Sequence, residues 1–355
     1  MSNTFLELRE YQYAFSAGLE GWLAQENTSL LFSMNGKNIF ALGRKADGQI
    51  TLDDYDCEHA FALTAAQSQT LYLFTRFQIW RMENGLPAGH TTDAGHDRLF
   101  VPKSANTVGR LGIPDLALDA DGAVIFINPG FNCISRLDER YNFAPLWQPP
   151  FMPTPDRVTK GDCCHLSGMA LREGRVTHVS SYAQSPVVDG WKNAIQNGGV
   201  LLDIAGHSEP VRGLTMPHAP RWHNGQLWLM NSGTGEFGRV DVARGVFEPV
   251  LRVSGFVRCL CFIGDRYAAL AASIPPDGEE FASLPLRQNG AKPTCAILIA
   301  DLERGEIAHT ASFFGKNARE IFGMAALPGA RRPALVPLHS DAIQHVVTVG
   351  EMQNI

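Results

Sequence analysis

From Ser29 onward the chain alternates short apolar runs with turn residues: SLLFS, NIFAL, ITLDDY, AVIFIN, RVTHVSSY, GVLLDI, QLWLMNS, RYAALAAS and CAILIADL. Between them stand turn signals such as Ala46-Asp47-Gly48, Asp119-Ala120-Asp121-Gly122, Asn224-Gly225 and Ile263-Gly264-Asp265. Runs of this length, rich in β-branched and aromatic residues and bounded by Gly, Asp and Asn, predict strands. The stretch from His218 spells out one complete unit: HAPRWH, a turn at Asn224-Gly225, QLWLMNS, a Gly-rich turn (SGTGEFG), RVDV and FEPVLRV. Four strands in series are one propeller blade.

Six times a polar residue heads an apolar run: His59 (HAFAL), Asp115 (DLALD), His165 (HLSGMA), His218 (HAPRW), Arg258 (RCLCF) and Glu320 (EIFGMA). Their successive separations are 56, 50, 53, 40 and 62 residues, the period of a repeat that contributes one four-stranded sheet. The expected fold is an all-β, six-bladed β-propeller forming a single domain over residues 29–355. Its innermost strands bring the six head residues to one central channel. Ahead of it, Leu8, Tyr11, Phe15, Leu19, Trp22 and Leu23 recur at spacings of three and four, which predicts an N-terminal amphipathic helix over Phe5 to Gln25 within a lead-in of residues 1–28. Glu7, Glu10, Glu20 and Glu26 outnumber the one basic residue there, Arg9, so the helix is expected to dock on the propeller rather than on a membrane.

Composition narrows the function. A net charge of −6 with no Lys/Arg cluster gives no basic surface for nucleic acid or anionic lipid. No leader pattern and no apolar run of membrane-spanning length stands out, so a cytoplasmic protein is expected. The seven cysteines show no CxxC spacing, and several sit inside apolar strands, where a thiol is a small buried hydrophobe. The chain lacks GxSxG, HExxH and GxGxxG in the contexts that give them chemistry, and SGTGEFG lacks the lysine of a phosphate loop. Longer insertions at Leu86 to Arg98, Phe151 to Asp162, Ser181 to Gly198 and Pro275 to Pro293 are the expected carriers of binding function on a rigid scaffold.

The ring of head residues carries the candidate chemistry. Three imidazoles and one or two carboxylates suit a divalent transition metal such as zinc, iron or manganese, with His59, His165 and His218 as ligands. Glu320 is expected as ligand or general base and Asp115 as an orienting carboxylate. Arg258 would repel a bare cation, so it reads as a clamp for an anionic substrate. Arg221, three residues after His218 and next to Pro220, has an open direction, and Trp191 in the Ser181 to Gly198 insertion is placed to cover the channel mouth; both are candidate substrate contacts. Cys163 and Cys164, beside His165, could add a thiolate.

The strings DCCHLSGMA at 162–170, GLTMPHAPRWHNGQLWLMNSGTGEFGRVD at 213–241 and SGFVRCLCF at 254–262 resemble an uncharacterised bacterial family. Its members read CHLNGLA, MPHSPRWHDGRLW, SGTGELGRVD and PGFxRGL. FAPLWQPPF, GWKNAIQNGGVLLDI and REIFGMAALPG extend the resemblance over most of the chain. It implies a propeller-like fold and brings no activity with it. His165, His218, Arg221, Glu236, Arg258 and Glu320 fit its pattern, whereas Pro114 stands where a histidine is usual and Ser167 where an asparagine is.

These observations favour a metal-dependent enzyme acting on a small polar or anionic metabolite by hydrolysis, elimination or isomerisation. A non-catalytic propeller that presents Trp147 and Trp191 to a protein or glycan is the alternative. An organic cofactor on the axis is a third arrangement the sequence permits without requiring.

Overall fold

The computed structural model describes residues 6–8, 11–154, 157–288 and 292–349, and all structural statements below concern these. Residues 5, 9–10, 155–156 and 289–291, on which parts of the helix and insertion expectations fall, lie outside them.

The strands form six sheets arranged radially. Blade II contains Leu63–Ala66, Thr70–Phe74, Gln78–Asn84 and Arg98–Thr107; blade III contains Leu116–Leu118, Val124–Asn128, Cys133–Arg136 and Ala144–Trp147. Blade IV runs Leu166–Arg172, Arg175–Ser181, Gly199–Asp203 and Ser208–Leu214, and blade V runs Pro217–His223, Gln226–Asn231, Glu236–Asp241 and Val246–Arg252. Blade VI is built from Phe256–Ile263, Tyr267–Ser273, Cys295–Asp301 and Glu306–Phe314. Blade I closes the ring. Its three outer strands, Thr28–Met34, Asn38–Arg44 and Ile50–Asp56, come from the start of the chain, and its inner strand, Ile321–Pro328, comes from near the end. Met324 pairs with Phe32 and Ala326 with Leu30, so the two ends of the chain share one antiparallel sheet.

The strands read as unbroken apolar runs because each blade is buried on both faces. Leu227 and Leu229 of blade V pack against Leu201 and Leu214 of blade IV, whereas Trp228 and Met230 pack against Leu260 and Leu270 of blade VI. The same alternation in blade I sends Leu30, Phe32 and Met34 towards blade VI and Leu31 towards blade II. Side chains of opposite parity along one strand thus belong to different inter-blade cores.

The expected N-terminal helix is largely replaced by strands. Tyr11–Phe15 adds to the outside of blade VI, with Ala14 opposite Ser312, and Leu6–Leu8 pairs with it in turn. Helix α1 spans only Leu19–Gln25, because Gly18 takes a left-handed φ of 82° that ends the extended segment and starts the helix there. Upstream, YQYAF is aromatic and strand-compatible, and an unpaired blade edge is available to it. The helix docks through Leu19, Trp22 and Leu23, with the Trp22 ring edge-on to Tyr267 at 5.5 Å. No helix among the described residues is long and apolar enough to cross a membrane.

Candidate functional site at the channel mouth

All six predicted residues stand at or near the heads of inner strands, at one end of the channel, yet they do not form one ring. They separate into a waist, a mouth and a surface position.

Asp115 and Arg221 make the waist. Arg221 donates to both carboxylate oxygens of Asp115, at 2.7 and 2.8 Å, and also to the carbonyls of Met169 and Pro220. Met169 N–H donates to the same carboxylate at 3.0 Å. Arg221 reaches the axis because the pairing register shifts between His218 and Arg221, where Ala219 has a φ of 48° and Pro220 offers no N–H. The carboxylate takes three hydrogen bonds from these partners, so Asp115 ties blades III, IV and V together across the channel. The cavity beside the pair, lined among others by Ser167, Arg258 and Phe322, measures about 20 Å³, the space of one water molecule.

The mouth lies above it. His165 has a φ of 53°, a conformation that costs a non-glycine residue on the order of 1–3 kcal/mol, and it is held there by Asp162. Asp162 accepts the His165 backbone N–H at 2.9 Å and sits 2.5 Å from the ring nitrogen Nδ1. A carboxylate at Nδ1 fixes the proton on that nitrogen and leaves Nε2 with a lone pair and no protein partner. The ring lies 4.3 Å from Tyr182 and 4.6 Å from Trp191, which fix its plane.

His218 is buried and has both nitrogens engaged. Nδ1 lies 3.0 Å from the Met216 carbonyl and 2.8 Å from Ser232 Oγ, while the Tyr182 hydroxyl is 2.9 Å from Nε2. A carbonyl can only accept, so Nδ1 carries the proton and Nε2 accepts from the phenol. Burial, then the charge of Arg258, hold this imidazole well below its usual range, so it is neutral. Burial also raises the Tyr182 phenol, keeping it protonated. Burial raises the Cys163 and Cys164 thiols too, as suits buried thiols rather than a thiolate beside His165.

Arg258 is the one cation at the mouth among the described residues without a carboxylate partner. Its guanidinium lies over the rings of Phe256 at 5.5 Å and Phe322 at 5.0 Å, and its Nε is buried with no acceptor. Trp191 Nε1 is likewise a buried donor with no acceptor. A cation without a counter-ion beside a free indole N–H is chemistry that suits an incoming anion. Glu320 precedes the inner strand of blade I, and its charge, like those of Arg258 and Asp162, acts on the Tyr182 phenol. Residues 181–198 and 275–288 wall the mouth, where Trp191 and Phe281 share an apolar cluster with Tyr182 and Phe256.

His59 lies apart, half-exposed, with Nε2 3.6 Å from Glu58 of the same loop. The three histidines expected to share a metal are therefore not grouped, and no set of three His, Cys, Asp or Glu among the described residues is arranged as a metal site. His165 Nε2 could ligate an ion as it stands. His218 could do so only by giving up the Tyr182 hydroxyl.

Tyr182 and Asp162 were absent from the residues singled out by sequence. Asp162 stands three residues before His165, a spacing that lets one carboxylate cap the backbone and meet the ring, and this was the available signal. Tyr182 had none, since it follows the second strand of its blade and arrives at the axis through the insertion.

Residues 17–336 match the family model described as "Domain of unknown function (DUF4915)". The chain belongs to this family. No curated protein matches it. Among solved structures, this DUF4915 member is similar to the nidogen/laminin complex, at 13% identity over 85% of this chain and 99% of that one, with a TM-score of 0.51. It is also similar to a luciferin-regenerating enzyme (10% identity, 88% and 92% covered, TM-score 0.42) and to a streptogramin B lyase (13%, 73% and 70%, 0.38). At these identities the likeness is one of fold.

Proposed function

We propose that this DUF4915 propeller is an enzyme that binds a small anionic metabolite at the polar mouth of its channel and moves a proton on it. The observation that carries the reading is an unneutralised Arg258 and an Asp162–His165 pair whose Nε2 is free, on two sides of the buried His218, on which both act. Arg258 holds the anionic group, its donors fixed between two aromatic rings. His165 accepts a proton at Nε2, and Asp162 stabilises the imidazolium that results. Neutral His218 and the Tyr182 hydroxyl form a rigid polar floor, and Trp191 limits access of water from above. Such a set serves elimination, isomerisation or hydrolysis, and the aspartate–arginine waist keeps the ligand at one end. A metal, if it is part of the chemistry, would have His165 as its first ligand.

The test is calorimetric titration of small anions, acetate, propanoate, succinate and phosphate, into the wild type and Arg258→Met. Saturable binding of at least one anion is expected, weakened about tenfold or more in Arg258→Met with melting temperature preserved, as loss of one charge-assisted contact requires. Equal binding by both proteins would overturn the assignment of Arg258.

A further inference from the structure

Arg258 is not the only charge left unspent at this mouth. Glu320 is half-buried, makes no side-chain hydrogen bond and stands in no ion pair, although its backbone is fixed on both sides: its N–H donates to Asn35 Oδ1 at 2.9 Å and its carbonyl accepts from Asn35 N–H at 2.7 Å. Lys37 and Lys316, in the depression on its outer side, stay beyond ion-pairing distance, and Arg319 is committed to Asp277. Glu320 and Arg258 head adjacent inner strands, those of blades I and VI. Phe322, two residues after Glu320, lies directly under the Arg258 guanidinium, and both charges act on the Tyr182 phenol. Neither group pairs with the other or with any other described side chain, so each is open to a counter-charge on a ligand. The other charges at the mouth are committed: Asp162 to His165 and Lys192 to Asp189, while His218 is neutral.

We infer that the ligand of this mouth is a zwitterion, an α-amino acid or a small molecule of that type, whose carboxylate meets Arg258 and whose ammonium group meets Glu320. The inference rests on the reading of Arg258 as the anion clamp and adds the second charge. A ligand with only an anionic group would leave Glu320 facing like charge, and a dianion such as a phosphate monoester would meet both Glu320 and Asp162 with repulsion. Trp191, Tyr182 and Phe256 form one apolar cluster beside these charges, a wall for the ligand's side chain.

The experiment compares alanine and phenylalanine with their des-amino counterparts, propanoate and 3-phenylpropanoate, by calorimetric titration into the full-length wild type, Glu320→Gln and Arg258→Met. The amino acids are expected to bind at least about tenfold more tightly than their counterparts to the wild type, and Glu320→Gln to erase that margin while leaving carboxylate binding in place. Des-amino acids binding as well as or better than amino acids to the wild type, while Arg258→Met weakens both, would overturn the zwitterion and leave the anion clamp standing. Binding unaffected by Arg258→Met, or no binding by any of the four, would overturn the clamp and the zwitterion with it. Should Glu320→Gln fail to fold, the comparison of the four probes on the wild type decides.

Discussion

Single residues decide both the chemistry and much of the stability. The Asp115 carboxylate is buried and receives three charge-assisted or backbone hydrogen bonds, so Asp115→Asn leaves Arg221 without its counter-ion at the waist. Arg221 keeps 30% of its side chain exposed, which softens the loss. The expected cost is about 2–4 kcal/mol in urea unfolding, below that of a fully buried pair, and an Asp115→Leu/Arg221→Met double variant should lose less than the single one. His218 gives a pH dependence with a definite sign. Its folded-state affinity for protons is depressed from the ordinary 6.5, so below that pH the unfolded chain takes up a proton that the folded chain refuses. Stability is then complete above 6.5 and declines as the pH falls towards the depressed folded-state value; His178 and His96, also lowered by burial, act in the same direction. The urea midpoint is expected to fall between about pH 7 and about pH 5, and His218→Gln to flatten that fall. A wild-type midpoint constant over this range would contradict the neutral assignment.

At the scale of elements, the repeat was legible because every blade obeys the same packing rule, and one motif shows why. HLSGMA and EIFGMA share a glycine in the inner strand because the next blade's backbone passes there. A Cβ on Gly168 would stand 2.7 Å from Ala219 N, and one on Gly323 would stand 2.5 Å from the Phe61 carbonyl oxygen. Gly168→Ala and Gly323→Ala are each expected to cost about 1–3 kcal/mol in unfolding free energy. Thermal melting of either variant at the wild-type temperature would show that the inner strands are not so closely set. The helix over Phe5 to Gln25 was misread for a reason of the same kind. Spacings of three and four among Tyr11, Phe15, Leu19 and Trp22 fit a helical face, but the decisive influences were a free edge on blade VI and the left-handed Gly18, and only the second is local. Closure of blade I by Ile321–Pro328 joins the two ends of the chain in one sheet, a pairing that no local pattern records.

For the whole molecule, the sequence located the heads of the inner strands but not the direction of each side chain. His165, His218 and Arg258 meet at the mouth, with Glu320 in electrostatic reach. Asp115 and Arg221 pair below them, and His59 stays outside because its loop leaves it four residues short of its strand. The histidine set therefore read as a metal centre when hydrogen bonds to Tyr182, Ser232 and Asp162 already engage three of its six ring nitrogens, both of those on His218 among them. Elemental analysis of purified protein beside a His165→Ala/His218→Ala double variant bears on this directly. From the donor geometry, less than stoichiometric transition metal is expected, and one equivalent lost in the variant would restore the three-histidine centre.

The central claim is that Arg258 and His165 face a common ligand at the polar mouth. The most direct measurement is a crystal structure determined with alanine at saturating concentration. The account predicts the ligand carboxylate on the Arg258 guanidinium, with His165 Nε2 turned towards it and Asp162 still on Nδ1. A mouth without ligand, in which Arg258 pairs internally with Glu320, would contradict it.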